Sequence, residues 1–81
     1  MIRTLVESLR CPETRQMLSV AGPDVVAKLN QQIAAGQLRN RGGQIITRNL
    51  DGGFIREDGR FLYPVLGRLP IMLIDEAIPL D

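Results

Sequence analysis

The sequence predicts an α+β fold: a small antiparallel sheet of three to four strands carrying a short N-terminal helix and a longer, inserted helix. Three observations predict it. Residues 23–36 carry a helical apolar stripe set between a proline and a glycine. Asp58-Gly59 lies between two strand-like runs, a strong short-range hairpin signal. Residues 69–74 form an unbroken apolar run of strand length, far short of the roughly 20 residues that a membrane-spanning helix needs.

In chain order, Thr4 and Glu7 have capping-box spacing. Leu5, Val6 and Leu9 then share one face of the first helix. Pro12 stops that helix and pushes Cys11 toward extended geometry. Residues 17–20 read as a first short strand. Pro23 suits the first position of the second helix, where its missing N–H does no harm. Asp24 complements the helix dipole. Val26, Leu29 and Ile33 make the stripe, with Val25 and Ala34 beside them and Lys28, Asn30, Gln31 and Gln32 polar. Gly36 is a natural left-handed cap. So narrow a stripe predicts a helix lying on a sheet surface. Gly42-Gly43 breaks the chain, residues 44–48 are a strand candidate, and Asp51-Gly52-Gly53 is a turn.

A type I′ turn at Asp58-Gly59 fixes the register that follows it. Glu57 faces Arg60 as an ion pair, Arg56 faces Phe61, Ile55 faces Leu62 and Phe54 faces Tyr63. One face then carries Ile55 and Leu62, and packs on the helices. The other carries Phe54 and Tyr63, with Arg56 over the Phe61 ring. The run 69–74 does not alternate, so it reads as a strand that is apolar on both faces. Pro70 places it at an edge or at a strand start. Two readings stay open for it: both helices cover it, or another protein completes it.

The 81 residues are expected to form a single domain, 1–81, with 21–52 as a helical insertion. So short a chain buries only about 60–65% of its unfolded surface, so its core is thin. There is no histidine and one cysteine. An intramolecular disulfide, a Cys/His zinc site and Ser–His or Cys–His catalysis are excluded for the isolated chain. The expectation is a non-enzyme without metal or cofactor. Cys11 beside Arg10 reads as a semi-buried structural thiol rather than a nucleophile. The net charge is +1, too mild to mark a nucleic-acid binder. Residues 23–49 nevertheless carry Lys28, Arg39, Arg41 and Arg48 against Asp24, and an RNA accessory role through Arg39, Arg41 and Arg48 is one alternative function, a self-sufficient structural domain the other. The N-terminus lacks the apolar core of a signal peptide, and no membrane span is expected. The expected setting is the cytoplasm.

Four pieces in order carry a family resemblance. They are Leu5 to Leu9 before Cys11-Pro12-Glu13-Thr14; Leu18; Gly53-Phe54-Ile55 leading into Tyr63-Pro64-Val65; and Leu69-Pro70-Ile71-Met72-Leu73 with the tail Asp75-Glu76-Ala77. This resembles the small zinc-ribbon-like proteins that include the eukaryotic and archaeal methyltransferase-activating subunit and short bacterial relatives. It covers about residues 4–20 and 53–78. The family's second cysteine would fall at Thr14 and a later one near Arg56, so this looks like a member that has lost its metal and kept a degenerate zinc-ribbon-like scaffold. Gly67-Arg68 stands where relatives often have Asp-Gly. The resemblance implies a non-catalytic module that binds and stabilises an S-adenosylmethionine-dependent methyltransferase of the translation machinery, with nucleic acid involved only indirectly. The candidate partner contacts are Phe54, Tyr63, Leu69, Ile71, Met72 and Leu73.

Overall fold

In the computed structural model of the chain, residues 10–80 are described. The predicted N-terminal helix lies outside the described residues. The elements are β1 (Leu18–Val20), α1 (Pro23–Ala34), β2 (Gly52–Arg56), β3 (Phe61–Leu66), β4 (Leu69–Pro70), a 3₁₀ turn (Ile74–Glu76) and β5 (Ile78–Pro79). The architecture is α+β: one helix on an antiparallel sheet ordered β1-β2-β3-β4. Two short strands share the far edge of β3, β4 against Val65 and Leu66, and β5 against Phe61 and Leu62. Two residues ending in proline give no alternation to read, and β5 has no counterpart in the sequence pattern.

The helix follows its sequence signals. Pro23 opens it, Asp24 lies in its first turn, and Gly22 precedes it in extended geometry. At the far end the Gly36 N–H donates to Ile33 C=O and the Gln37 N–H to Gln32 C=O, with Gly36 at φ 70. That is a Schellman motif, which needs a left-handed residue where Gly36 stands. Leu29 and Ile33 are its buried residues. Asn30, on the polar side, clasps the returning chain: its Oδ1 accepts the Leu50 N–H at 2.8 Å and its Nδ2 donates to Leu50 C=O.

Four local expectations are corrected. Residues 44–48 do not join the sheet. Ile45 makes an isolated bridge with Arg39, and Ile46 N–H and Asn40 N–H donate to Leu38 C=O and Gln44 C=O. This loop closes on itself because its nearest partners are its own flanks. It then docks through Arg41 N–H on Ala77 C=O and Gly42 N–H on Asp75 C=O.

The hairpin register is as read, Phe54 opposite Tyr63 and Ile55 opposite Leu62. Its turn is not type I′, since Gly59 has φ 73 but Asp58 is not left-handed. The Asp58 carboxylate instead accepts from Arg56 and from the Arg60 N–H. Arg56 thus takes the acidic partner, and Glu57–Arg60 is not among the ion pairs of the described residues. The two-residue turn with both φ angles positive is Gly67-Arg68, at 57° and 66°, joining β3 to β4.

The run 69–74 is a strand only at Leu69–Pro70. The Ile71 N–H still reaches Pro64 C=O, but Pro64 has no N–H to return and β5 occupies the next stretch of the edge. The chain therefore leaves the sheet and turns at Ile74–Glu76.

The core is two-sided. On the helix side Leu29, Ile33, Leu38, Leu50, Leu62 and Ile78 are buried together. On the other side Cys11, Leu18, Tyr63 and Ala77 cluster, with Phe54, Phe61 and Met72 against them. Gly53 permits the close approach on the helix side, since a Cβ there would meet Leu62 side-chain carbons at 2.6–2.8 Å.

Candidate functional site

The face of the sheet turned away from α1 is covered by the loop 10–17. The loop is pinned by an Arg10–Met17 bridge, by Cys11 N–H on Gln16 C=O and by Arg15 N–H on Cys11 C=O, with Arg15 left-handed at φ 61. This pinning seats Cys11 on β3, 1% exposed, with Sγ 3.0 Å from the fully buried Tyr63 Oη. Burial pushes the Cys11 thiol up. Hydrogen bonds with Thr14 and Tyr63, and from the Thr14 and Glu13 backbone, outweigh it and bring the thiol down to about 7. Burial, and the hydrogen bond with Cys11, push the Tyr63 phenol well above its ordinary value.

Beside this pair lies a compact charge network. Arg56, 6% exposed, directs Nε and Nη2 to Asp58 and Nη1 to Glu13 at 3.2 Å. Arg41 reaches the same Glu13 with a two-pronged fork at 2.6 and 2.8 Å. Both guanidinium groups lie 4.8 Å from the Phe61 ring centre. The hydrogen bond from Arg56 holds the Asp58 carboxyl down at about 2. The hydrogen bond from Arg41 keeps Glu13 below the usual carboxylate range. Both arginines are raised in turn by these carboxylates, Arg56 also by Cys11. Two guanidiniums against two carboxylates leave the network close to neutral.

Of the three positions where the resemblance puts cysteines, 11, 14 and 56, the first two lie on the loop 10–17, and Arg56 reaches that loop through Glu13 at 3.2 Å. They do not fit a metal ion, because one of the three is itself a cation. No group of three or more His, Cys, Asp or Glu that could hold one occurs among the described residues.

The expected contact residues divide. Tyr63 is fully buried and serves the core, and Phe54 is half-buried against the Cys11 cluster. Leu69 and Leu73 are 66% and 62% exposed, Ile74 is exposed beside them, and Ile71 and Met72 are half-buried. Pro12, Met72, Leu73 and Ile74 line a shallow groove with Asp75 and Glu76. The arginines of the alternative reading do not form one free patch. Arg41 is engaged by Glu13, and Arg39 donates to Gly43 C=O. Arg48 lies against Gly67.

Sequence reasoning placed Arg56 on Phe61 but missed Glu13 and Asp58. Asp58 sits two residues from Arg56, a local signal that the turn assignment obscured. Glu13 carries none, since only the tertiary fold brings the loop 10–17 to β2.

Among the described residues no helix is long and apolar enough to cross a membrane. No family model matches the chain, and no curated protein does. Among solved structures, the solution NMR structure of XF2673 from Xylella fastidiosa matches at a TM-score of 0.75 and 30% sequence identity, covering 98% of this chain and 81% of that one. Similarity of that extent joins sequence to fold, and the chain belongs to the same family as XF2673.

Proposed function

We propose that the chain is a non-catalytic protein-binding module that stabilises or activates a partner enzyme, an S-adenosylmethionine-dependent methyltransferase of the translation machinery in the cytoplasm. One observation carries the binding role: Leu69, Leu73 and Ile74 stand exposed within six residues, and the last two line a groove with Pro12 and Met72. Scattered exposed apolar residues are ordinary, whereas a contiguous group beside a groove marks an interaction surface. The methyltransferase enters through the order of the motifs Cys11-Pro12, Tyr63-Pro64 and Leu69-Pro70-Ile71. The short β4 edge offers main-chain groups for register, and the side chains beyond it offer burial.

The test is affinity purification of the tagged chain from its host at moderate salt, alongside a Leu73→Asp variant. Leu73 is exposed, so the variant folds. The expected result is a stoichiometric methyltransferase retained by the parent chain and lost by the variant. Equal retention by both removes Leu73 from the surface. A parent chain that retains nothing and runs as a thermally stable monomer overturns the reading.

A further inference from the structure

The helix side of the sheet is not fully roofed by α1. Ile55, Leu62 and Ile78 stand in a row there across β2, β3 and β5, Leu62 being paired with both of the others. Leu62 and Ile78 are fully buried, whereas Ile55, on the strand between β1 and β3, is only half-buried. An inward-facing residue of an inner strand is ordinarily covered by the layer packed on it. The cause lies in the helix. Its buried residues are Leu29 and Ile33, so a narrow stripe meets the sheet and one flank of the helix leaves Ile55 part open.

A cleft of about 330 Å³ lies between that flank and the sheet. Val25, Lys28, Leu29 and Gln32, spaced i, i+3, i+4 and i+7, share the helical side of it. Ile55 and Leu80 line it from the sheet side. The Leu80 N–H donates to Arg60 C=O at 2.9 Å, which ties that wall to the hairpin. The volume lies within the range of small-molecule sites, which combine an apolar lining with a few polar groups. Here those groups are Lys28 and Gln32. No carboxylate lines the cleft, and Lys28 is in no ion pair among the described residues. The charge it presents is therefore a single positive one.

We propose that this cleft binds a small amphiphile, its aliphatic body against Val25, Leu29, Ile55 and Leu80 and its carboxylate head at Lys28.

Hydrocarbon placed there completes the cover that α1 leaves unfinished. A carboxylate carries one charge and so matches the single cation. The lysine stem adds apolar surface while its ammonium keeps to water at the mouth, and the Gln32 amide supplies a further donor. The cleft opens on the helix side of the sheet, whereas Met72 of the groove packs with the Cys11 cluster on the other side. Its occupancy is therefore independent of the protein-binding role.

The experiment is a titration of the full chain with sodium butyrate, hexanoate and octanoate through the millimolar range at fixed ionic strength, read from methyl signals by NMR. Saturable shifts are expected at the Val25, Leu29, Ile55 and Leu80 methyls and not at those of Leu73 and Ile74. Affinity is expected to rise about two- to fourfold with each added methylene. Octylammonium is expected to bind more weakly than octanoate. Lys28→Met, at an exposed helical position, is expected to weaken octanoate about two- to fivefold and to leave octylammonium no weaker. Val25→Phe, which fills the cleft, is expected to abolish the binding of both in a chain whose spectrum stays that of the fold. Shifts that do not saturate, or that are as large at Leu73 and Ile74, overturn the site. Equal binding of octanoate and octylammonium overturns the carboxylate head.

Discussion

On one face of the sheet, Leu29 and Ile33 of α1 cover Ile55 and Leu62 with hydrocarbon, and the polar work is left to Asn30 at the margin. On the other face no helix is packed among the described residues. A loop lies there instead, held by a thiol–phenol contact and by Arg56 and Arg41 stacked on Phe61 and paired with Glu13 and Asp58. The contrast teaches how so small a domain holds two layers. Apolar burial is non-directional and suits a helix, which presents a broad stripe. A short loop has little apolar surface to offer, so directed bonds to buried side chains hold it in place.

The contrast can be broken from either side. The largest effect is expected from Leu62→Ala, which empties the helix-side core where the side chain is fully buried. A loss of about 2–5 kcal/mol in urea unfolding is the expected size, enough to unfold much of so small a domain. Arg56→Met is expected to cost less, about 1–3 kcal/mol. Its abandoned partners Glu13 and Asp58 have side chains 33% and 29% exposed, so water reaches them once the guanidinium is gone. A cost equal to that of Leu62→Ala would show that the two faces do not differ as described.

Acid sharpens the same comparison. The Asp58 and Glu13 carboxyls are depressed in the folded chain, so their contribution is present above about pH 4 and is lost as pH falls toward 2. Melting temperature is expected to drop across that window in the parent and to drop less in Arg56→Met. The smallest effect is a gain. Arg68 holds φ 66 in a type I′ turn, a conformation that glycine adopts without strain. Arg68→Gly is expected to stabilise by about 0.5–1 kcal/mol in the same urea assay. A loss there would mean that the Arg68 side chain has a role beyond the turn.

How far these features were legible depends on how local they are. The helix could be read because Pro23, Asp24 and Gly36 each act on their own neighbourhood. The β2–β3 register could be read because the number of residues in the connection sets it, even though the turn type was misassigned. The strand content of residues 69–74 could not be read. It was decided by β5, which begins four residues after the run ends and takes the edge that the run would have used. The second face was half legible. Arg56 over Phe61 follows from the hairpin, whereas Glu13 and Cys11 arrive there by a loop whose path no short pattern encodes.

β1 meets β2 only across the whole of residues 21–51, whereas β2 and β3 pair across a tight turn. Closing the longer span costs more chain entropy before any contact repays it. The β2–β3 hairpin is therefore the early part of folding, and β1 with its loop docks late. Leu18→Ala, which weakens the docked strand, is expected to speed unfolding and leave refolding nearly unchanged in stopped-flow kinetics. A refolding rate that falls in step with stability would place β1 in the nucleus. During synthesis the N-terminal third of the chain leaves the ribosome before its partner strand exists. In that interval Cys11 lacks its Tyr63 contact and its burial, and its thiol is open to oxidants and metals until the hairpin arrives to claim it.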